Sequence, residues 1–356
     1  MEALQGKTVF VGLSGGVDSS VTAALLKKTG ATVVGVFIRT WQPDFIECSF
    51  REDRLDAMRV ATYLDIPFLE CDAEDAYKRA VADYMIDEYK RGRTPNPDVM
   101  CNREIKFGVF WDFAKKHGAD YIATGHYAEN ENGELKIAAD PSKDQAYFLY
   151  RLTNADLEHV LFPLGKLHKT EVRKLAEKYG LPTQAKKDSQ GICMLGDLDL
   201  KKFLEHYIPT QNGSVLSEAG DSIGHHMGAI FLTLGERHGF TITKKTPQDD
   251  RYYIIAKDIE HNTITVSMDR STLSPHSEAK NQLLIQNCSW VNNAPDENKQ
   301  YVAQVRYHGE YLACEVEAKS DMTARVTFHE PTLVAGGQSI VIFDGDVCLG
   351  GGIMHA

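Results

Sequence analysis

Short apolar runs alternate with amphipathic segments over about the first 200 residues of the chain. Strand-like runs occur at 8–13, 32–38, 67–71 and 121–124, and helical patterns lie between and after them at 18–29, 51–64, 75–90, 105–117 and 171–179. Regular alternation of this kind predicts a parallel sheet with helices on both faces. Ligands of such sheets bind at the carboxyl ends of the strands, so the loops after each run are the first candidates for a site.

The pattern changes after about residue 210, where short apolar runs are separated by turn residues. From about residue 276 onward, alternating strands such as "YVAQVRYHG" and "ARVTFHE" predict a small antiparallel barrel or sandwich. The predicted fold is therefore α/β: a parallel-sheet domain at 1–210, a small connecting domain at 211–275 and a C-terminal antiparallel β-barrel at 276–356.

Composition is that of a globular protein, with 43% hydrophobic and 25% charged residues in a chain of 356. The net charge of −11 speaks against nucleic acid as a partner. The distribution of charge weakens that conclusion, because the stretch 166–187 holds seven Lys or Arg against two Glu, a local net of +5. A solvated amphipathic helix is the plain alternative for such a stretch.

The cysteines indicate a reducing compartment. Seven are scattered along the chain and never spaced CxxC, which argues against a disulfide scaffold and against zinc or iron–sulfur sites. The N-terminal segment lacks a basic region followed by an apolar one, and no apolar run approaches the ~20 residues of a membrane helix. We therefore predict a cytoplasmic protein without membrane contact. His225 and His226 lack partner ligands in the sequence, so no protein-held metal is predicted.

The stretch "VFVGLSGGVDSS" at 9–20 carries the clearest candidate chemistry. A buried strand breaks into Gly15 and Gly16 and then opens a helix, so free backbone N–H groups and the helix dipole would both face a phosphate. No lysine follows the glycines, unlike in the GxxxxGK[ST] loop of many ATPases. A Gly-rich turn without a ligand is the alternative interpretation.

"SGGVDSS" resembles the PP-loop of the N-type ATP pyrophosphatases, which cleave ATP at the α-phosphorus and hold the departing pyrophosphate. "GRTPNPDVMCNREIKFG" at 92–108 and "KKDSQGICMLGD" at 186–197 resemble the bacterial tRNA-specific 2-thiouridylases, and the similarity extends to "CLGGGI" at 348–353. The resemblance implies ATP-dependent 2-thiolation of the wobble uridine of tRNA. Mg²⁺ is expected only as the partner of ATP.

The resemblance also implies how sulfur is transferred. The uridine oxygen would be adenylated with release of pyrophosphate, Cys193 would carry a persulfide, and Cys101 would be the nucleophile that closes a transient disulfide. Asp98 would move a proton or position the base. Arg103 and Lys106 beside Cys101, and a predicted helix start, would favour its thiolate. A sulfur donor, either a cysteine desulfurase or a relay protein, and a reductant for the disulfide are implied partners.

Binding residues follow from the same resemblance. ATP would contact Gly12, Leu13, Ser14, Gly15, Gly16, Val17, Asp18, Ser19, Ile38 and Gly125. The tRNA would contact Asn96, Pro97, Asp98, His126, Lys143, Asp144, Gln145, Arg306, Tyr307 and Gln338. The chain departs from the expected "LGQRKG" at 234–239, where Glu236 and His238 remove positive charge from a segment expected to face tRNA.

Other functions compatible with the loop stay open at this point. A PP-loop ligase or synthetase that uses an amine nucleophile would share the loop but needs neither two cysteines nor RNA. A non-catalytic RNA-binding module would not release pyrophosphate. An iron–sulfur-dependent tRNA thiolase is disfavoured by the missing CxxC spacing.

Overall fold

The computed structural model describes residues 4–45, 50–188, 194, 199–244, 250–269, 278–320 and 322–355. Cys193, the predicted persulfide carrier, lies outside these described residues. No helix among them is long and apolar enough to cross a lipid bilayer.

Five parallel strands form the sheet of the first domain, in the order β3-β2-β1-β4-β7. Their register brings the carboxyl ends together, since Val11 pairs with Ala123 and Ile38 pairs with Cys71. The apolar residues of β1 and β2 are buried because helices cover both faces, as the continuous apolar runs predict. The strands are β1 (Thr8–Gly12), β2 (Thr32–Arg39), β3 (Phe68–Asp72), β4 (Tyr121–Ala123) and β7 (Val160–Leu161).

Two of the helical runs around this sheet contain π-helical turns. One consists of α3 (Glu74–Tyr77), a π-helical segment Lys78–Asp83 and α4 (Tyr84–Lys90); the other consists of α5 (Pro97–Met100), a π-helical segment Cys101–Val109 and α6 (Phe110–Lys116). The second run begins at Pro97 rather than at the predicted 105, because proline suits the first turn of a helix. The remaining helices are α1 (Val17–Lys28), α2 (Phe50–Tyr63), α7 (Ala146–Leu149), α8 (Asn154–Leu157), α9 (Lys169–Lys178) and α10 (Leu200–Tyr207).

A second sheet lies in the middle of the chain, in the order β10-β9-β8-β12-β11. Its strands are β8 (Gly213–Leu216), β9 (Ser222–His226), β10 (Phe240–Ile242), β11 (Tyr253–Asp258) and β12 (Thr263–Ser267), with a 3₁₀ turn at Ala229–Phe231. Glu236 and His238, the two departures noted in the sequence, pair with each other at 2.8 Å. His226 is buried, and its Nδ1 accepts a hydrogen bond from the backbone of Gly228.

The C-terminal strands close into a six-stranded antiparallel barrel, which confirms the predicted architecture. The order is β13-β16-β15-β14-β17-β18, and β18 pairs back with β13. Alternate residues of these strands fill the interior, among them Ile285, Val326 and Ile342. The strands are β13 (Lys280–Trp290), β14 (Gln300–Gln304), β15 (Leu312–Ser320), β16 (Thr323–Thr332), β17 (Ser339–Asp344) and β18 (Val347–Met354).

The barrel is joined to the first domain by a shared sheet. A hairpin of the first domain, β5 (Glu129–Glu131) and β6 (Glu134–Lys136), extends the barrel sheet by pairing with β18. Hydrogen bonds also join the segment before α5 to the barrel, where the Thr94 N–H donates to Gly336 O at 2.7 Å. The predicted domain boundaries at 210 and 275 remain predictions.

Candidate active site

A cavity of about 660 Å³ opens at the carboxyl ends of β1, β2 and β4. The loop after β1 forms one side of it, and the α5 run forms another. Nine of the residues predicted to bind ATP lie in its wall: Gly12, Leu13, Ser14, Gly16, Val17, Asp18, Ser19, Ile38 and Gly125. The site therefore lies where ligands of parallel sheets bind.

The loop is held tightly on two sides, which explains its glycines. Gly15 has φ +74°, and a Cβ there would lie 2.3 Å from the carbonyl oxygen of Asp53. A Cβ on Gly125 would lie 2.8 Å from the backbone nitrogen of Ser19. Inside the loop, the Ser14 N–H donates to Oγ of Ser19 at 3.2 Å. The backbone amides at the start of α1 are thus fixed in a concave arrangement that suits an anion.

The α5 run contributes three polar side chains to the same cavity: Asp98, Asn102 and Lys106. Their spacing of four residues places them along one side of the helical run. The Asn102 amide donates to the carbonyl oxygen of Phe148 at 3.2 Å, so it is oriented by the helix that follows the 143–145 segment. Carboxylate, amide and ammonium groups therefore face the space beside the loop.

His126 connects the α5 run to the loop after β4. Lys106 Nζ lies 3.3 Å from Nε2 of His126, and Thr124 Oγ1 lies 2.7 Å from its Nδ1. An ammonium can only donate, so Nε2 is the acceptor and Nδ1 carries the proton that is donated to Thr124. Burial first, and then the charge of Lys106, hold the pKa of His126 well below its ordinary value of 6.5. His126 is therefore a neutral hydrogen-bonding group in the cavity wall.

The predicted nucleophile Cys101 lies at the start of the π-helical segment, and its side chain is 0% exposed within the main apolar cluster. Arg103, expected to favour a thiolate at Cys101, instead pairs with Asp156 at 2.7 Å. Asp98 and Asn102, which flank Cys101 in the sequence, both line the cavity. The Cys101 thiol is therefore buried, although residues close to it in the sequence line the cavity.

Met194, which follows Cys193 in the sequence, also lies in the cavity wall. The side chain of Gln42 donates to its carbonyl oxygen at 3.0 Å. Of the motif at 186–197 that contains Cys193, the structure describes residues 186–188 and 194. Lys187, Asp188 and Met194 line the same cavity as the loop after β1 and the α5 run.

The basic stretch 166–187 is largely paired with carboxylates of its own domain. Lys169 bonds both carboxylate oxygens of Asp18, at 2.7 and 2.8 Å. Lys186 pairs with Asp53 and Asp56, each at 2.8 Å. The hypothesis that the stretch presents its charges to tRNA is therefore too simple, because acidic residues of α1 and α2 come to face it in the fold.

The residues predicted to bind tRNA fall into two groups. Asp98, His126, Lys143, Gln145 and Tyr307 lie in the cavity wall. The other five, which are Asn96, Pro97, Asp144, Arg306 and Gln338, are not part of that wall as the described residues form it. Gly15, predicted to bind ATP, and Cys101, the predicted nucleophile, are not part of it either.

Several residues of the second group have other partners. Asp144 is half-buried and accepts hydrogen bonds from the backbone of Ala138 at 2.8 Å and of Ala146 at 3.4 Å, and desolvation raises its pKa. Gln338 donates to the carbonyl oxygen of Thr94 at 3.1 Å. These side chains position the segment after β6 and the barrel.

The structure adds residues to the site that the sequence analysis did not single out as binding residues. They are Phe37, Thr40, Gln42, Phe50, Asp53, Asn102, Lys106, Thr124, Tyr127, Phe148, Lys169, Lys187, Asp188 and Met194. Lys106 and Asp188 lie within the motifs at 92–108 and 186–197. For Lys169, the only indication in the sequence was the positive charge of the stretch 166–187. Among the described residues, no group of three or more His, Cys, Asp or Glu side chains is arranged to hold a metal ion.

Comparison with known proteins gives matches along nearly the whole chain. Residues 7–197 match the model described as the tRNA methyl transferase HUP domain, 201–268 its PRC-barrel domain, and 280–354 the aminomethyltransferase beta-barrel domain. The chain is 43% identical to the tRNA-specific 2-thiouridylase MnmA of Bordetella petrii, covering 98% of this chain and 97% of that protein. It is 44% identical to the protein of that name from Thiobacillus denitrificans, covering 97% and 99% respectively.

Proposed function

The chain belongs to the tRNA-specific 2-thiouridylase family, and we propose that it replaces the 2-oxygen of the wobble uridine of tRNA by sulfur in an ATP-dependent reaction. It is a tRNA sulfurtransferase. The finer steps of the proposal concern adenylation, the persulfide and the transient disulfide, and each is supported by a different part of the cavity.

Adenylation makes the uridine oxygen a leaving group. The 2-oxygen attacks the α-phosphorus of ATP, the bond from phosphorus to the β-bridging oxygen breaks, and pyrophosphate leaves. The fixed amides from Ser14 to Ser19 support this step, because they bind anionic oxygens without reorganising during the reaction. Gly125 and Ile38 line the same cavity as the loop, where the adenosine would bind. Mg²⁺ enters the proposal as the partner of ATP.

Sulfur transfer then uses the two cysteines. The terminal sulfur of a persulfide on Cys193 attacks the activated C2 carbon. The Cys101 thiolate attacks the inner sulfur, the sulfur–sulfur bond of the persulfide breaks, and AMP leaves with the former uridine oxygen. The products are 2-thiouridine, AMP and a Cys101–Cys193 disulfide, and two electrons from a reductant restore the thiols. The donor that reloads Cys193 is a cysteine desulfurase or a relay protein.

The observation that carries the proposal is that one cavity is lined both by the loop proposed for adenylation and by the segments proposed for sulfur transfer. Three parts of the chain line it. They are the phosphate loop, which comprises residues 14–19, the side of the α5 run that carries Asp98, and Met194, which follows Cys193 in the sequence. Tyr307 of the C-terminal domain also lines the cavity and packs against Phe148, with ring centroids 4.3 Å apart and ring planes at 41°. A base turned out of the anticodon loop needs such an aromatic and polar pocket.

The test is incubation of the protein with wobble-uridine tRNA, Mg-ATP and a persulfide source, followed by mass spectrometry of the nucleosides. The proposal expects 2-thiouridine together with an equal amount of pyrophosphate. Pyrophosphate release without 2-thiouridine, in the presence of an amine that becomes ligated, would instead identify an amine ligase.

A further inference from the structure

Lys169 lies in the cavity wall and bridges the phosphate loop to the segment before Cys193. Its ammonium is within 2.8 Å of both oxygens of Asp18 and 2.9 Å from Oδ1 of Asp188. The hydroxyl of Tyr127 also donates to Asp18, at 2.9 Å. A single cation thus neutralises the one carboxylate of the phosphate loop and holds a second carboxylate beside it.

A lysine is unfavourable at position 169 for two local reasons, and this indicates a functional role. It is the first residue of α9, where the free N–H groups carry partial positive charge and an acidic side chain would be preferred. Its side chain is only 13% exposed, so the ammonium has lost much of its hydration. Violations of local preference of this kind are expected at functional sites.

Further cations converge on Asp188. Lys143 Nζ lies 3.0 Å from Oδ2 of Asp188, and the guanidinium of Arg173 pairs with Oδ1. Burial alone would raise the pKa of Asp188, but the hydrogen bonds and charges of Lys169 and Lys143 outweigh it and hold the pKa well below its ordinary value. Lys143, Lys169 and Arg173 together carry one more charge than Asp18 and Asp188, so these five paired groups have a net charge of +1 in a chain whose net charge is −11.

We propose that Lys169 and Lys143 bind the β- and γ-phosphoryl groups of ATP and the pyrophosphate formed from them. Asp188 pairs with the same ammonium groups before the polyphosphate binds and competes with it. The inference rests on the proposed function and deepens it: as the bond between the α-phosphorus and the bridging oxygen breaks, the electron pair goes to the pyrophosphate, where the two ammonium groups stabilise it. Lys169 therefore supplies, from 151 positions along the chain, the cation that the loop sequence lacks.

The chemical class of the ligand follows from this arrangement. The cation cluster lies at the phosphate end of the cavity, so it distinguishes polyphosphates from ligands that lack β- and γ-phosphates. ATP and inorganic pyrophosphate should depend on Lys169, whereas AMP should not. A purely structural ion pair would instead affect the folding of the cavity and all three ligands alike.

The test is isothermal titration of inorganic pyrophosphate, ATP and AMP into the full-length protein and its variants. Lys169→Gln is expected to weaken pyrophosphate and ATP binding by about 10-fold or more, because each lost charge-assisted hydrogen bond is worth roughly 1.5–3 kcal/mol, and to leave AMP binding unchanged. Lys169→Arg should retain part of the affinity. Asp188→Asn should tighten pyrophosphate binding, since it removes the competing carboxylate. Lys166→Gln, an exposed lysine of the same stretch, is the matched control and should match the wild type.

Two results would overturn the inference. One is unchanged pyrophosphate binding in Lys169→Gln; the other is parallel loss of AMP and pyrophosphate binding with a lowered melting temperature. Weaker pyrophosphate binding by Asp188→Asn would refute the competition. Nucleoside mass spectrometry of the wild type separates this result from the proposed function: wild type that forms 2-thiouridine while Lys169→Gln binds pyrophosphate normally contradicts only the inference. If the wild type forms no 2-thiouridine but Lys169→Gln weakens pyrophosphate binding, only the proposed thiolation is contradicted.

Discussion

The side-chain oxygen of Asn96 accepts a hydrogen bond of 2.7 Å from the backbone N–H of Ser339, a residue 243 positions later in the chain. Asn96 begins the motif that supplies Asp98 and Cys101, and Ser339 begins strand β17 of the barrel. The Tyr147 hydroxyl donates to the carbonyl oxygen of the same serine at 2.9 Å. The barrel is therefore tied directly to the helical run that carries the proposed nucleophile.

Replacing Asn96 by alanine should loosen this connection. Ser339 is 2% exposed, so its N–H would lose its partner in a place that water does not reach. An unsatisfied buried donor costs about 1–3 kcal/mol, and the midpoint of urea unfolding should fall accordingly. Asn298→Ala, at an exposed turn of the barrel, is the control and should unfold like the wild type. An unchanged midpoint for Asn96→Ala would show that the contact contributes nothing to stability.

Replacing Gly125 by alanine adds a single methyl group and tests the close packing of the phosphate loop. An alanine Cβ would lie 2.8 Å from Ser19 N and 3.0 Å from the carbonyl carbon of Asp18, so the loop would have to move. Strain of about 1–3 kcal/mol at this contact should weaken ATP binding by roughly 10- to 100-fold, as measured by calorimetry. Gly12→Ala, whose Cβ would meet its neighbours at 3.6 Å or more, should weaken binding less. Equal losses in the two variants would contradict the steric explanation.

The elements that the sequence predicts well are those with strong local signals. The run at 8–13 became β1, and the turn at Gly15 and Gly16 lies where the strand–helix pattern predicts it. The sequence pattern predicts a helix over 105–117, whereas the helical run of Asp98 and Cys101 begins at Pro97, a residue that suits the first turn of a helix. The π-helical turns left no pattern in the sequence, since their hydrogen bonds depend on packing rather than on spacing.

Pairings across the chain could not be predicted, because their partners are distant in sequence. Asn96 was expected to face tRNA, yet its oxygen is bonded to the barrel. Lys169 was one of seven basic residues in a stretch, and nothing local distinguished it from Lys166, which is 74% exposed. Only the fold brings Asp18 and Asp188 to the same ammonium, and so only the fold identifies which lysine belongs to the site.

His126 should stay neutral across the physiological range. Its pKa is held well below 6.5 by burial and by Lys106, so nitrogen NMR should show the Nδ1–H tautomer without a titration between pH 6 and 8. The unfolded state takes up a proton below pH 6.5 that the folded state refuses, so the free energy of unfolding should fall as the pH falls below that value. His126→Asn should weaken this dependence. A transition near pH 6.5 in the NMR signal of His126 would contradict the arrangement.

Substitution can distinguish the two proposed catalytic thiols from the other cysteines of the chain. Cys101→Ala and Cys193→Ala should each abolish 2-thiouridine formation while ATP binding persists, because neither thiol is needed for the phosphate loop to bind its ligand. Cys71→Ala is the matched control: burial raises the pKa of Cys71 to about 11, so that thiol stays protonated at pH 8 and cannot act as a nucleophile. Cys101 is fully buried, so it must become exposed before it can attack the persulfide. We therefore expect tRNA binding to increase the rate at which Cys101 is alkylated. Full thiolation by either alanine variant would refute the role assigned to that cysteine.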